Sequence, residues 1–312
     1  MNEMKGNSMA VFNSNDIYPV SADSELPFEQ HRDIFHLTGI DQEETILLLY
    51  PPSKDDKTRE ILFIRKSDNH TKVWEGEKLS KKQANELSGI DSIYFIDDFK
   101  DILSSIATKV DTFYINKNEH YRANSPVETR EDRFISWLLK NYPAHNVAKS
   151  NPILQRQRSI KHPDEIDQIK KACDITRKGF NRVLKFIKPS VWEYEIEAEF
   201  IHEFINSSSK GFAYSPIIAS GNDNNVLHYI KNNKQCKSGE LILMDVGAEY
   251  GNYSSDMTRT IPVSGKFSKR QKEIYNAVLR VKNEATKLLT VGNNWKLFHE
   301  QVGEIMTKEL LE

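Results

Sequence analysis

Two aspartates eleven residues apart are the side chains of this sequence with the clearest chemical potential. Asp245 lies near the end of the apolar run 241–246, and Asp256 follows it after a turn segment that contains Gly251-Asn252. Two short strands joined by such a turn form a hairpin. The sequence therefore predicts that the two carboxylates approach each other on adjacent strands.

The register of that hairpin decides how the carboxylates meet. With Tyr250-Gly251 at the loop centre, Asp245 lies opposite Asp256; with Gly251-Asn252 at the centre, Asp245 faces Thr258 and Asp256 lies on the diagonal. Side chains alternate along a strand, so both registers leave the carboxylates on one face and within reach. Two buried like charges at that range are costly unless a proton or cation lies between them. A pair of divalent metals is the sharper hypothesis, because carboxylates bridge metals roughly 3.5–4 Å apart.

Spacing alone also leaves a plainer interpretation open, in which both aspartates are surface groups that flank a turn. His228 favours the metal hypothesis, because a histidine beside a metal pair would hold substrate or shuttle a proton at neutral pH. We predict it at a strand edge after the polar loop 220–224. A single histidine is more often a packed or surface residue, so this alternative stays open too.

The composition predicts a folded chain of two domains. A length of 312 residues is long for one core. Hydrophobic residues make up 38%, and a net charge of −2 gives no electrostatic case for nucleic acid or an anionic membrane as partner. The polar residues 1–15 lack the build of a signal peptide. Cys173 and Cys236 form no CxxC or Cys/His cluster. We therefore expect a cytoplasmic protein without disulfides or structural zinc.

The elements that must position these residues change in kind along the chain. Residues 1–150 alternate strand-like and helix-like segments, which predicts an α/β domain. The strands are expected at 46–50, 61–64, 92–96 and 112–115, and the helices at 81–87, 99–105 and 131–140. Residues 151–158 are polar and contain a proline, as a linker would. Residues 159–312 predict long amphipathic helices around a strand-rich segment, 212–263, with capping boxes at Ser190–Glu193 and Ser268–Gln271.

The motifs in both halves resemble the aminopeptidase P, prolidase and creatinase superfamily. In the second half the resemblance lies in the opening segment 158–166, in Ser220-Gly221, His228 and Asp245-Val246-Gly247, and in the run from Ser255 to Thr260. In the first half it lies in residues 28–39, 63–66 and 73–76. This resemblance implies an N-terminal α/β domain of the ribonuclease-H-like, creatinase N-terminal type, followed by the first part of an α+β pita-bread domain.

The resemblance also implies roles for the three site residues. Asp245 would chelate one metal, Asp256 would bridge both, and His228 would act at the substrate end without binding metal. The family's remaining ligands, a histidine and two glutamates, are expected beyond the residues given, so this chain should bind a metal pair weakly. His299-Glu300 does not match them, and we assign it to a helix surface.

The implied activity is Xaa-Pro aminopeptidase, in which two divalent metals, manganese in most members, activate water against the peptide bond before a proline. Cobalt and zinc stay open as alternatives. The implied partners are peptides with proline in second position and further copies of the chain, as a homodimer or higher oligomer. Two other functions stay open: an Xaa-Pro dipeptidase, and a pita-bread binding module without catalysis. Retention of His228, Asp245 and Asp256 argues against the binding module.

Overall fold

The structure is a computed structural model that describes residues 1–117 and 126–311. These residues divide into two compact units, Met1–His162 and Pro163–Glu312. None of the helices in the described part of the chain combines the length and the apolar character that a membrane-crossing helix needs.

The first unit is built on a six-stranded sheet with the strand order β6-β5-β4-β1-β7-β8. Strand β4 runs antiparallel to β1 and β5, and the other neighbours are parallel. The strands of this sheet are β1 Ser8–Asn13, β4 Ile46–Leu49, β5 Glu60–Ile64, β6 Ser92–Phe95, β7 Thr112–Ile115 and β8 Asn146–Lys149, and β2 Pro19–Ser21 pairs with β3 Ser24–Glu25. The helices are α1 Arg32–Thr38, α2 Asn69–Trp74, α3 Lys81–Ser88, α4 Phe99–Ala107, α5 Arg130–Asn141 and α6 Asn151–Ser159, with two short 3-10 turns at Asp56–Thr58 and Ile96–Asp98.

Both faces of this sheet are covered, as the α/β prediction requires. In β1, Met9 and Val11 join one apolar core, while Ala10 and Phe12 join the core on the opposite face. All six residues of β1 are buried. A strand buried on both faces reads as a continuous apolar run, which is typical of the centre of a largely parallel sheet.

The segment 151–158, predicted as a linker, forms most of helix α6 instead. Pro152 lies in the first turn of the helix, where the missing N–H removes no helical hydrogen bond. Leu154 is buried and joins the core of the first unit. The polar composition of the segment reflects the exposed face of this helix, and the division between the units falls after His162.

The second unit combines two three-stranded sheets with long helices. The sheet orders are β10-β11-β14 and β13-β12-β9. The strands are β9 Gly211–Phe212, β10 Ile217–Ser220, β11 Leu241–Val246, β12 Ala248–Tyr250, β13 Tyr253–Ser254 and β14 Met257–Pro262. The helices are α7 Pro163–Phe186, α8 Glu193–Asn206, α9 Lys269–Leu288 and α10 Trp295–Leu311, with a 3-10 turn at Gly221–Asn225. Apolar side chains of α7, α8 and the strands form one core.

One of the two predicted capping boxes is present. Ser268 accepts a hydrogen bond from the Gln271 backbone, and Gln271 accepts one from the Ser268 backbone, at the start of α9. The box predicted at Ser190–Glu193 is wrong. Ser190 has a φ of 76°, a left-handed conformation outside the helix, and α8 begins at Glu193. Glu193 is therefore free to bond elsewhere.

Candidate metal centre

The hairpin that carries the two aspartates adopts the second of the two registers considered above. Asp245 pairs with Thr258 and Val246 with Met257, so Asp256, which directly precedes β14, lies on the diagonal. The turn is centred on Gly251-Asn252, with Glu249 opposite Ser254. Gly251 and Asn252 have φ values of 58° and 67°. Two consecutive positive φ values are the pattern of a type I′ turn, whose twist matches that of the flanking strands.

The two carboxylates meet at the hydroxyl of Tyr214. This oxygen lies 2.8 Å from Asp245 Oδ1 and 3.1 Å from Asp256 Oδ1. Tyr214 is placed there by its position shortly before β10, whose Ile217 pairs with Asp245. A phenol has one proton, so it donates to only one of the two carboxylates at a time. Two carboxyl groups therefore converge on a site that offers a single hydrogen-bond donor.

The electrostatics of the site follow from this arrangement. Burial raises the pKa of the Tyr214 hydroxyl far above its usual range, and the neighbouring Asp245 and Asp256 raise it further. Tyr214 therefore stays protonated and acts as a donor at physiological pH. Its single proton leaves one of the two carboxylates without this donor at any moment, so the pair keeps an affinity for a cation.

Gly247 permits the close approach that brings these groups together. A Cβ atom added at Gly247 would lie 1.9 Å from the Ser255 carbonyl oxygen and 3.0 Å from Tyr214 Cε1. The backbone before Asp256 and the ring of Tyr214 both occupy the space that a side chain would need. The Asp245-Val246-Gly247 motif therefore needs glycine at its third position, because a larger residue would not fit there.

A buried hydroxyl of helix α7 stabilises the same close approach between residues 247 and 255. Thr176 Oγ1 lies 2.7 Å from Ser255 Oγ, and both hydroxyls accept from the backbone N–H of Ala248, each at 2.9 Å. Ser255 Oγ also lies 3.0 Å from the Ala248 carbonyl. Helix α7 is therefore hydrogen-bonded to the segment that immediately precedes Asp256, and this contact limits the freedom of that carboxylate.

The donor set fits a hard divalent cation, but only as part of a ligand shell. Asp245 and Asp256 offer carboxylate oxygens, the ligand type that magnesium and manganese prefer. A cation between them would compensate their charge, which the neutral tyrosine hydroxyl cannot do. In residues 1–117 and 126–311, no group of three or more His, Cys, Asp or Glu side chains is arranged to hold a metal. Further ligands are needed for a complete centre.

His228 does not lie on a strand edge, as we expected from the sequence. It lies exposed in a turn that follows the 3-10 turn Gly221–Asn225. Among the described residues, its imidazole does not join the two carboxylates in a group that could hold a metal ion. The apolar neighbours Val226 and Leu227, which suggested a strand, are exposed as well. His299 and Glu300 lie exposed on helix α10, as predicted.

Tyr214 is the member of the site that sequence reasoning missed. It lies 31 positions from Asp245 and 42 from Asp256 along the chain. Within the sequence it is one aromatic residue before a Ser-Pro pair, and no spacing rule connects it to the aspartates. The one hint in the sequence is that Tyr214 lies just before β10, the strand that pairs with the Asp245 strand.

Comparisons with known proteins support the interpretation of both units. Residues 167–311 match the model of metallopeptidase family M24, and residues 1–114 match that of the aminopeptidase P N-terminal domain. A Haemophilus influenzae Xaa-Pro aminopeptidase is 32% identical over 93% of this chain and 65% of its own length. The Xaa-Pro aminopeptidase of Escherichia coli is 30% identical over 94% of this chain and 66% of its own length. The chain thus spans slightly less than two thirds of these curated relatives.

Solved structures share the fold across nearly the whole chain. A candidate aminopeptidase P from Bacillus anthracis superimposes with a TM-score of 0.92 at 30% identity, covering 99% of this chain and 73% of that one. Zinc-substituted aminopeptidase P from Escherichia coli, solved in complex with product, gives a TM-score of 0.88 at 29% identity, covering 99% and 70%. The ribonuclease-H-like and pita-bread expectations are confirmed by these neighbours. The chain belongs to metallopeptidase family M24 and carries the aminopeptidase P N-terminal domain.

Proposed function

We propose that this protein acts as a metal-dependent Xaa-Pro aminopeptidase, which releases an N-terminal residue that is followed by proline. The observation that carries the proposal is the convergence of Asp245 and Asp256 on one tyrosine hydroxyl. It occurs within a chain of family M24 whose relatives are named Xaa-Pro aminopeptidases. A family name alone leaves the chemistry open, whereas paired carboxylates that share one hydroxyl donor call for a cation.

Each residue of the site has a distinct part in this proposal. Asp245 would hold one cation and Asp256 would bridge two, with manganese as the metal we expect from the oxygen-rich donors. Tyr214 orients the carboxylates through its hydrogen bonds, and His228 faces the arriving peptide from its exposed turn. When bound, the cations would supply Lewis acidity and lower the pKa of the attacking water. Two carboxylates are too few for a metal pair, so further ligands would have to complete the set.

Three further points belong to the same proposal. The substrates are peptides with proline in second position, and the partners are further copies of the chain. The near-balanced charge of the sequence favours neither nucleic acid nor an anionic membrane. Cys173 and Cys236 are free thiols, which fits a reducing compartment such as the cytoplasm.

The test is a substrate panel for the protein that contains these residues, assayed with added manganese. We expect release of the first residue from a tripeptide with proline second and little release from the matched tripeptide with alanine second. A chelator should stop the reaction, and excess manganese should restore it. Cleavage of Xaa-Pro dipeptides alone would indicate a dipeptidase instead. Equal activity on the proline and alanine tripeptides that persists in the presence of the chelator would overturn the proposal.

A further inference from the structure

Glu193 is a fully buried carboxylate that the proposed metal chemistry does not use. It is the first residue of helix α8 and has 0% exposure. An isolated buried carboxylate is strongly unfavourable, so its presence requires hydrogen-bond donors on every side. Its position at a helix N-terminus helps, because the partial positive charge there favours an anion.

Four donors satisfy this carboxylate, two on each oxygen. Oε1 accepts from the backbone N–H and the hydroxyl of Ser220, at 2.8 and 2.7 Å. Oε2 accepts from the Tyr229 hydroxyl at 2.7 Å and from the Lys234 backbone N–H at 3.0 Å. The Glu193 backbone N–H also donates to the Lys234 carbonyl at 2.9 Å. Oε1 therefore binds Ser220, just before the segment 221–233. Oε2 binds Tyr229 within that segment and Lys234 just after it.

This segment is the one that carries His228. Tyr229, the next residue, is buried, while His228 itself is exposed. Burial raises the pKa of the Tyr229 hydroxyl, and its hydrogen bond to Glu193 raises it further, so the hydroxyl stays a donor. Asn232 adds a second attachment, because its side chain accepts from Ile218 N–H and donates to the Pro216 carbonyl.

The attachment also runs to the strand beside the metal centre. Ser220 ends β10, and β10 pairs with β11 through Ile217 and Asp245. The Glu193 carboxylate thus connects the His228 turn to the strand that neighbours Asp245. Asn224 adds a further attachment, because its side chain donates to the Leu241 carbonyl and accepts from the Leu243 N–H on β11. Without the Glu193 carboxylate, the segment 221–233 would keep the Asn224 and Asn232 bonds and the packing of Tyr229 against Ile217 and Ala219. It would lose the hydrogen bond that holds the Tyr229 hydroxyl, next to His228 in the chain.

We propose that Glu193 is a positioning residue, whose buried carboxylate fixes the turn that carries His228 relative to the Asp245 strand. The proposal that this turn meets substrate rests on the proposed function, but the positioning itself does not. Tyr229 transmits the effect, since it is the one residue that both bonds Glu193 and neighbours His228.

The first test is hydrogen exchange on the 312-residue chain with Glu193→Gln and Tyr229→Phe, with Glu203→Gln on the same helix as control. Glutamine keeps the size of the side chain, but its amide nitrogen cannot accept a hydrogen bond, so in either orientation two of the four donors lose their acceptor. We expect amides of 226–234 to exchange at least about tenfold faster in both variants, with β11 unchanged, because this segment opens locally. Unchanged protection in 226–234 would overturn the proposal.

The second readout separates positioning from a general loss of stability. The imidazole Cε1–H resonance of His228, assigned with His228→Gln, should shift or broaden in Glu193→Gln and Tyr229→Phe well below the melting temperature. It should stay in place in Glu203→Gln. Faster exchange spread evenly over 163–311, with an unmoved His228 signal, would mean that Glu193 is merely structural. Neither readout needs peptidase activity, so failure of the proposed function would leave this result interpretable.

Discussion

At the scale of single residues, the sequence predicted the carboxylates of the site but not what joins them. Asp245 and Asp256 could be paired because strand alternation and a Gly-Asn turn are local rules, and the hairpin follows them. Tyr214 could not be found, because its contact depends on how β10 packs beside β11. The turn position of His228 was mistaken for a strand, since its apolar neighbours are exposed in the folded chain.

The shared hydroxyl gives a prediction that does not depend on catalysis. Tyr214→Phe removes the one donor between the two carboxylates and leaves the ring in place. We expect the metal-free protein to lose about 1.5–3 kcal/mol of unfolding free energy, the usual contribution of a hydrogen bond to a charged group. Added manganese should narrow the difference in unfolding free energy, because a cation bound by both carboxylates would take the place of the missing donor.

Thermal melting with and without manganese measures this effect, with the exposed Tyr194→Phe as the matched control. A Tyr214→Phe variant as stable as the wild type without metal would show that the carboxylates do not depend on the hydroxyl.

At the scale of elements, the apolar runs and helical spacing predicted most of the strands and long helices but missed strand β1 and helix α6. Strand β1 lies at the centre of its sheet and is entirely buried, yet its short apolar run stands among polar residues and gave no alternation. Helix α6 looked like a linker because its exposed face is polar. Helix α8 starts after Ser190, because a left-handed residue cannot begin a helix.

The close approach of Gly247 to the Ser255 backbone gives a prediction at this scale. Gly247→Ala places a Cβ against the Ser255 backbone, which cannot yield as a flexible side chain would. We expect a loss of at least about 2 kcal/mol in unfolding free energy, within the range for overpacked sites. Urea unfolding of the chain measures it.

Gly303→Ala is the control, because a Cβ there meets nothing within 4 Å and the residue lies within helix α10. That variant should be neutral or slightly stabilising. Equal stability of the two variants would contradict the close approach that we describe.

At the scale of the whole molecule, the second unit exposes apolar surface that the sequence assigned to a helical stripe. Apolar residues recur at helical spacing along α9, at Ile274, Val278, Val281, Ala285 and Leu288. Of these five stripe residues only Val281 is buried, and Ile274 and Val278 are 45% and 50% exposed. In the described part of α10, no residue is buried, and Trp295 is 70% exposed. The stripe was predicted from its spacing, but spacing does not say what covers it.

This surface predicts concentration-dependent self-association of the 312-residue chain. Contiguous exposed apolar side chains favour contact with another protein surface. Light scattering across a concentration series should show a mass above that of the monomer, and Ile274→Glu with Val278→Glu should reduce it. The exposed pair Glu284→Gln and Lys287→Gln serves as control. A monodisperse monomer at every concentration would refute this expectation.

The central claim, that Asp245 and Asp256 hold the catalytic metal, is tested most directly by kcat/KM for an Xaa-Pro tripeptide. The comparison is between the protein that contains these residues and its Asp245→Asn and Asp256→Asn variants, with Glu203→Gln as control. We predict a loss of at least about 100-fold in each variant, since even partners of metal ligands cost 10–100-fold. The loss should be no smaller for Asp256, the proposed bridging ligand. Full activity in either variant would contradict the account.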